Sequence, residues 1–389
     1  QTVGVNLEKA LLRLPLTLQF PDKTGLKLPD WPAPWIVGLD AAWGIATATG
    51  WTWGDKWALL RAASGWRRGG FSCSQHLSVL QLCQKSNPAI TPRVMAELIE
   101  PLCLSALNTP AADASAQVFL RVLQDAMFSP SVQIDSKTTF GSANLLIPKR
   151  DLSNLFPHPA AAWLVKHGGK VLLGERVESI DYSNAGWQVT ATTIKQSFDA
   201  VILAGSPSNM ALASINIAYA ATNNIAKELE HLLRREVLDW QNSVNALRYE
   251  AIATVYAYSK GAKLSQPMLA LRSDAPSAGT NPAQFVFDRG QFGGETGLLA
   301  FVVSASHGER LDLQRQVIEQ GKAQLNLPDL QPIQTIIEKR ATFACTPGLQ
   351  RPANQIAPGL LVCGDYVAGP YPATLEGAVR SAIQAVKLL

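Results

Sequence analysis

Gly359-Leu-Leu-Val-Cys-Gly-Asp365-Tyr-Val-Ala-Gly-Pro-Tyr-Pro-Ala-Thr374-Leu-Glu-Gly-Ala-Val-Arg-Ser-Ala-Ile-Gln-Ala385 is the stretch whose reading decides the fold. An apolar run ends in Gly364-Asp365, a Gly/Pro loop follows, and an Ala-rich periodic segment starts after Thr374. This is the pattern of a buried strand, an acidic residue at its carboxyl end, a turn and a helix. Thr374 is a natural N-cap, and Gly377 and Ala378 leave the first helical turn bare. The N–H groups and partial positive charge of a helix N-terminus suit a flat ligand that becomes anionic, such as the N1–C2=O edge of a reduced flavin. Asp365 stands where open α/β sheets bind ligands, and its oxygens can accept from ribityl or ribose hydroxyls. The same residues can also make a plain strand–loop–helix terminus with Asp365 serving the turn.

Upstream, Val201-Ile-Leu-Ala-Gly205 is a second apolar run ending in Gly, as buried parallel strands do. Lys170–Leu173, Arg176–Tyr182, Trp187–Thr193 and Phe198–Leu203 read as short strands, with Asn184-Ala-Gly186 as a turn between two of them. Asn223 to Trp240 reads as an amphipathic helix with Ile225, Leu229, Leu232, Leu233 and Val237 on one face. Further strands are expected at Ile252–Ala257, Gln284–Phe287 and Leu298–Val303, and a helix at about Glu309–Leu325. Between Thr91 and Met127 the apolar residues recur at helical spacing, with Asp113 as an expected N-cap, followed by a polar loop from Ser129 to Ala143.

Composition bounds the alternatives. With 47% hydrophobic and 16% charged residues, the 389-residue chain has the opposite balance to a disordered one. Its net charge of +4 is too even to make nucleic acid the main partner. Five cysteines without a C-x-x-C pair fit free thiols in a reducing cytoplasm, and no metal-ligand spacing stands out. The chain opens on Gln1 without a signal-peptide pattern, which reads as a fragment or processed start. No stretch reads as a membrane-spanning helix.

Residues 31–66 hold seven of the ten tryptophans, and from Trp31 to Gly54 the only charge is Asp40. Two readings stand. The segment is buried helix packing, or it is a greasy substrate channel or a membrane-facing patch, because indoles favour the lipid–water interface.

The block from Gly364-Asp365 through Tyr371-Pro-Ala-Thr-Leu-Glu-Gly-Ala-Val-Arg-Ser381 closely resembles the C-terminal flavin motif of the amine oxidase and phytoene desaturase superfamily. More narrowly, Ala114–Leu123, Leu145–Ser153 and Glu338–Gly348 are similar to hydroxysqualene dehydroxylases, the squalene-associated FAD-dependent desaturases of hopanoid synthesis. The resemblance spans about residues 10 to 389 and implies FAD as cofactor. By the same resemblance Val177 meets the adenine through its backbone, Gly364 and Asp365 face the pyrophosphate and ribityl chain, and Leu375, Glu376, Gly377 and Ala378 line the flavin through main-chain atoms. The superfamily begins with a G-x-G-x-x-G unit; none occurs here, and Gly293-Gly-Glu-Thr-Gly297 is only superficially similar.

The implied fold is α/β. An incomplete Rossmann-like FAD-binding domain, residues 143–210 and 335–389, is interleaved with a substrate domain of helices and mixed sheet, residues 1–142 and 211–334. The implied reaction is reduction of hydroxysqualene to squalene, the hydroxyl leaving as water and a hydride arriving from reduced flavin. Its partners are a long isoprenoid substrate and an electron donor. The expected location is cytoplasmic, with peripheral contact at the inner membrane face. No catalytic acid stands out; Tyr366 and Tyr371 flank the flavin loop, and the five histidines are scattered. A phytoene-type desaturase would use the same frame for oxidation. An amine oxidase would place an aromatic residue where Pro372-Ala373 stands. From another class, the chain is a non-catalytic, lipid-binding remnant.

Overall fold

A computed structural model describes residues 2–30, 38–128, 132–133, 139–140, 144–183, 186–207, 214–217, 224–274 and 279–389. Trp31, Trp35, most of the Ser129–Ala143 loop, and Asn184-Ala185 lie outside the described residues. In chain order, a strand β1 (Leu11–Pro15) and a hairpin of β2 (Thr17–Gln19) and β3 (Gly25–Lys27) precede helices α1 (Leu39–Thr47), α2 (Trp53–Arg68), α3 (Val79–Lys85), α4 (Glu100–Leu107) and α5 (Ala116–Phe128). Then come β4 (Asn144–Pro148), α6 (Pro157–Lys166), β5 (Val177–Ser183), β6 (Gly186–Ala191), β7 (Lys195–Phe198), β8 (Val201–Leu203), β9 (Ser214–Ile217) and α7 (Asn224–Asn245). The chain continues through β10 (Tyr249–Tyr258), β11 (Met268–Ala270), β12 (Phe285–Asp288), β13 (Leu298–Ser306), α8 (Arg310–Leu325), β14 (Gln331–Phe343), β15 (Gln355–Ala357), β16 (Leu360–Val362) and α9 (Leu375–Lys387).

Two compact units result, each built from two separated segments: Gln1–Gly168 with Tyr249–Gly348, and Gly169–Arg248 with Leu349–Leu389. These boundaries, at 168, 248 and 348, fall later than the 142, 210 and 334 of the division that the resemblance implies. The first segment keeps α6 with the helices before it, and the second keeps α7 with the strands before it.

The first unit is centred on a five-stranded antiparallel sheet in the order β11–β12–β13–β10–β14. Along β10 every second residue, Ala253, Val255 and Ala257, turns inward, as a strand covered on one face requires. They meet Leu299, Phe301 and Val303 of β13 and Leu313 and Val317 of α8 in the main core. Each fully buried valine, leucine or phenylalanine there contributes roughly 1.5–3 kcal/mol. Gly293 to Gly297 runs from a 3-10 turn into β13, with no helix after it, so it is not a phosphate-binding strand–turn–helix. Thr52 and Asp55 form a capping box at the start of α2. Trp51, just before it, is buried and donates its indole N–H to Glu97 at 2.8 Å. Helix α5 begins at Ala116, so Asp113, whose N–H donates to Pro110 O, belongs to the preceding turn and is not the N-cap.

The second unit holds two sheets. One has the order β9–β5–β6–β7, with β5 and β9 parallel and the other pairs antiparallel. The other has the order β8–β16–β15, with β8 and β16 parallel in the register Val201↔Leu360 to Leu203↔Val362. The expected Lys170–Leu173 strand does not form: these residues are coil, and Leu173 is 89% exposed. An apolar run makes a strand only with a partner edge, and this run lies between left-handed turns at Gly168 and Gly174. Helix α7 buries Leu233, Val237, Trp240 and Val244, spaced four, three and four apart. Leu232 is 53% exposed, since one residue of rotation carries it off that face, contrary to the expected grouping. No helix among the described residues is long and apolar enough to cross a membrane.

Candidate functional site

The C-terminal block folds as a strand, a pinned loop and a capped helix. All three residues of β16 are buried, and the Cys363 N–H donates to Leu203 O at 2.9 Å, extending the parallel ladder to the edge of the loop. Gly364 follows. A Cβ there would lie 2.5 Å from the Tyr366 ring, so only glycine lets the chain turn over that buried aromatic. The Gly364 N–H donates to Ser381 Oγ at 2.9 Å, and this hydroxyl in turn lies 2.9 Å from Gly364 O and 2.8 Å from Ala378 O. Helix α9 is thereby tied to the strand end.

Arg351 holds the outer part of the loop, donating to Val367 O at 2.7 Å and to Gly369 O. Asn354 spans from β16 to the helix, donating to Val362 O and Ser381 O. Ala373 has φ 55°, a left-handed conformation that costs a non-glycine residue strain, immediately before the cap. Thr374 then caps α9: its oxygen accepts the Gly377 N–H at 3.0 Å while its hydroxyl donates to Tyr371 O at 2.9 Å.

Among the residues expected to bind cofactor, Gly364 and Asp365 sit at the strand end and Leu375 to Ala378 form the first turn of α9. Asp365 is half-buried, and desolvation pushes its carboxyl above its ordinary 3.8, against the pull of backbone N–H groups and of Arg351. A carboxylate kept partly out of water in this way gains from any hydroxyl that donates to it. Leu375 is 73% exposed, and Glu376 is exposed and ion-paired with Arg380 at 2.6 Å. Gly377 is bare for a steric reason, because a Cβ would fall 2.0 Å from Tyr371 O. A cavity of about 540 Å³ runs along the side of α9 from Glu376 and Gly377 past Arg380 and Gln384 to Lys387, with Asn354 and the Val367–Tyr371 loop on its other side; Leu375 and Ala378 do not line it. Asp365 is not among its lining residues.

Val177 is placed elsewhere in the same unit, as the first residue of β5. Its ladder with β9 begins only at Ser179, so Val177 stands beyond that edge. The two sheets of the unit are joined by Trp187, fully buried, whose indole N–H donates to Pro358 O at 3.0 Å. Of the two tyrosines flanking the loop, Tyr366 is fully buried under Gly364 and packs the turn, whereas Tyr371 borders the cavity with Arg380 4.9 Å over its ring. Sequence reasoning missed Arg351, Asn354 and Ser381. Ser381 lies at i+4 from Gly377, and that spacing was its only local sign.

The strand–loop–helix offers a capped helix terminus, a half-buried strand-end carboxylate and, apart from that carboxylate, a cavity between loop and helix. The model of a family described as flavin containing amine oxidoreductase matches residues 11–321. A hydroxysqualene dehydroxylase from Sinorhizobium fredii is 37% identical over 103 residues, which is 22% of this chain and 23% of that protein, under a quarter of its length. Among solved structures, an oxidoreductase from Methanosarcina mazei matches with a TM-score of 0.60 at 14% identity, over 96% of this chain and 87% of its own. Cyclohexylamine oxidase from Brevibacterium oxydans matches with a TM-score of 0.54 at 12% identity, over 99% and 83%. At these identities the two structures speak for the fold alone.

Proposed function

The chain belongs to the flavin-containing amine oxidoreductase family, with FAD as its cofactor, and on that premise we propose that it reduces a long hydroxylated isoprenoid, hydroxysqualene, to squalene. The likeness to a hydroxysqualene dehydroxylase over 103 residues carries the choice of substrate. When bound, FAD supplies two-electron hydride chemistry.

The chain's own residues do the holding and orienting. The first turn of α9 presents the N–H groups of Leu375 and Glu376, because Gly377 donates its own to the Thr374 hydroxyl oxygen and Ala378 donates to Thr374 O. The positive end of the helix favours negative charge at the flavin edge. Asp365 accepts from the ribityl hydroxyls, Gly364 brings the backbone close to the pyrophosphate, and Val177 meets the adenine through its main chain. Reduction consumes two electrons per turnover, so an electron donor is a required partner. No G-x-G-x-x-G occurs in the 389 residues, so in this reading the pyrophosphate takes its main helix-terminus site from a further βαβ unit.

The experiment saturates the protein with FAD, reduces it without oxygen, and adds hydroxysqualene or phytoene in parallel. Squalene formation with loss of the reduced-flavin spectrum supports the reading. Phytoene oxidation by the oxidised protein, with hydroxysqualene untouched, would replace it with a desaturase.

A further inference from the structure

Helix α2 has two faces of different kinds. Ala58, Leu59 and Ala62 are buried, whereas Trp53, Trp57, Arg61, Ser64 and Arg68 recur four, four, three and four residues apart along the exposed side. Trp53 is 80% exposed and Trp57 60%, and Trp43 on the neighbouring α1 is 52% exposed. The tryptophan-rich segment is therefore not one thing. Trp51 is a core residue at 7% exposure, Trp66 packs against the buried cluster of Phe71, Leu82 and Leu120, and Trp43, Trp53 and Trp57 face out.

Within residues 38–70 the charges that are not buried have one sign. The acids between residues 38 and 70 are Asp40 and Asp55, and both are buried. The bases are Lys56, Arg61, Arg67 and Arg68. The Lys56 ammonium lies 5.2 Å from the centre of the Trp53 ring, and the Arg61 guanidinium lies 5.9 Å from that of Trp57. Lys56 also donates to Ala46 O at 2.8 Å, closing the end of α1 onto α2. The face is held in place from beneath, since Asp55 accepts from the Thr52 N–H, the Thr52 hydroxyl and the Thr91 hydroxyl.

We infer that the exposed α1–α2 face docks on an anionic lipid bilayer. The indoles of Trp53 and Trp57, with Trp43 beside them, settle among the headgroups, while Arg61, Arg67 and Arg68 meet lipid phosphates. An indole has an apolar body and one N–H, a combination that the headgroup region satisfies at both ends. Cations beside it add attraction to anionic lipid. A second copy of this chain is a poor occupant, because two such faces would bring like charges together. The inference goes beyond the flavin reading and stands on the α1–α2 surface alone.

The test is co-flotation with vesicles of phosphatidylcholine, with and without 30% phosphatidylglycerol (roughly the anionic share needed for a negative surface potential). The protein should float with the anionic vesicles, lose them as salt rises, and shift its indole emission to the blue. The double variant Trp53→Ser, Trp57→Ser should bind at least about tenfold more weakly with an unchanged circular dichroism spectrum. The triple variant Arg61→Gln, Arg67→Gln, Arg68→Gln should lose about fivefold per arginine on anionic vesicles only. Trp51→Phe, a change in the core, should leave binding as it is. Absence of wild-type binding to the anionic vesicles, or equal binding by the Trp53/Trp57 variant, would overturn the inference. So would a dimer that dissolves in that variant while no vesicle binding is seen.

Discussion

Gly377→Ala is the sharpest test of the strand–loop–helix site. The new Cβ would lie 2.0 Å from Tyr371 O and 3.1 Å from its carbonyl carbon. Carbon contacts are comfortable near 3.5 Å, so the loop has to retreat by more than about 1 Å. That carbonyl accepts the Thr374 hydroxyl, and Thr374 accepts the Gly377 N–H, so the retreat breaks the turn and the cap together. Loss of an N-cap costs about 1 kcal/mol, and overpacking costs about 1–3 kcal/mol. Alanine's better helix propensity returns at most about 1 kcal/mol. The balance is a loss of roughly 1–3 kcal/mol. Gly369→Ala is the control, since its Cβ meets nothing nearer than Val367 O at 4.0 Å and should change stability by less than about 0.5 kcal/mol. Hydrogen exchange of residues 359–387, read alongside urea unfolding, should show faster opening in Gly377→Ala only, with FAD affinity reduced at least tenfold by the same criterion of about 1.4 kcal/mol per decade. Equal exchange in the two variants would refute the claim that this turn is held by contact with Tyr371.

Three further outcomes are expected. Burial raises the Asp365 carboxyl above 3.8, so the stability it contributes is full below that pH and is lost as pH rises through the folded value. Asp365→Asn should therefore flatten the acid-side slope in urea titrations and stabilise the FAD-free protein at neutral pH. It should weaken FAD binding by about 1.5–3 kcal/mol, and unchanged affinity in a flavin titration would leave Asp365 a turn residue. Burial pushes the Cys83 thiol up to about 12, and Cys103, Cys345 and Cys363 are also buried, so a thiol reagent should find one fast group, Cys73; two or more would contradict the packing. Glu97 accepts from Trp51 and Arg272, and Arg272 also reaches Asp22, so Glu97→Ala should cost about 1–3 kcal/mol in thermal unfolding and Asp22→Asn under about 1 kcal/mol, because only the first strands a buried donor, the Trp51 indole N–H.

What was legible in the sequence was local. Thr374 as a cap, Gly377 in a bare turn, and the Val201–Leu203 and Leu360–Val362 runs as buried strands all depend on residues a few positions apart or on a local apolar run, whereas the pairing of those two strands with each other was not legible. The clamp of Arg351, Asn354 and Ser381 was not legible, because its partners are backbone carbonyls across a loop and carry no side-chain signature. Val171 to Leu173 misled because hydrophobicity records what a residue would bury, not whether an edge is there to receive it. The tryptophan segment misled in another way. Composition averages over a helix, while burial alternates around it, so one sequence patch supplies both a core anchor at Trp51 and an outward pair at Trp53 and Trp57.

The pairing of β8 with β16 also sets a timetable for synthesis. Val201 leaves the ribosome long before its ladder partner Leu360, with all of Tyr249–Gly348 in between. At about 5–20 residues per second, the edge of β8 waits on the order of ten seconds for its neighbour. The first unit receives its last strand during that wait, so it can close while the second is still an open sheet. Parallel pairing across such a separation carries a large loop-closure cost and is slow to nucleate. A chain stopped shortly before Leu360 should thus leave the ribosome with its first unit formed and its would-be cofactor unit exposed to proteases, a polarity of assembly dictated by where two three-residue strands fall in the gene.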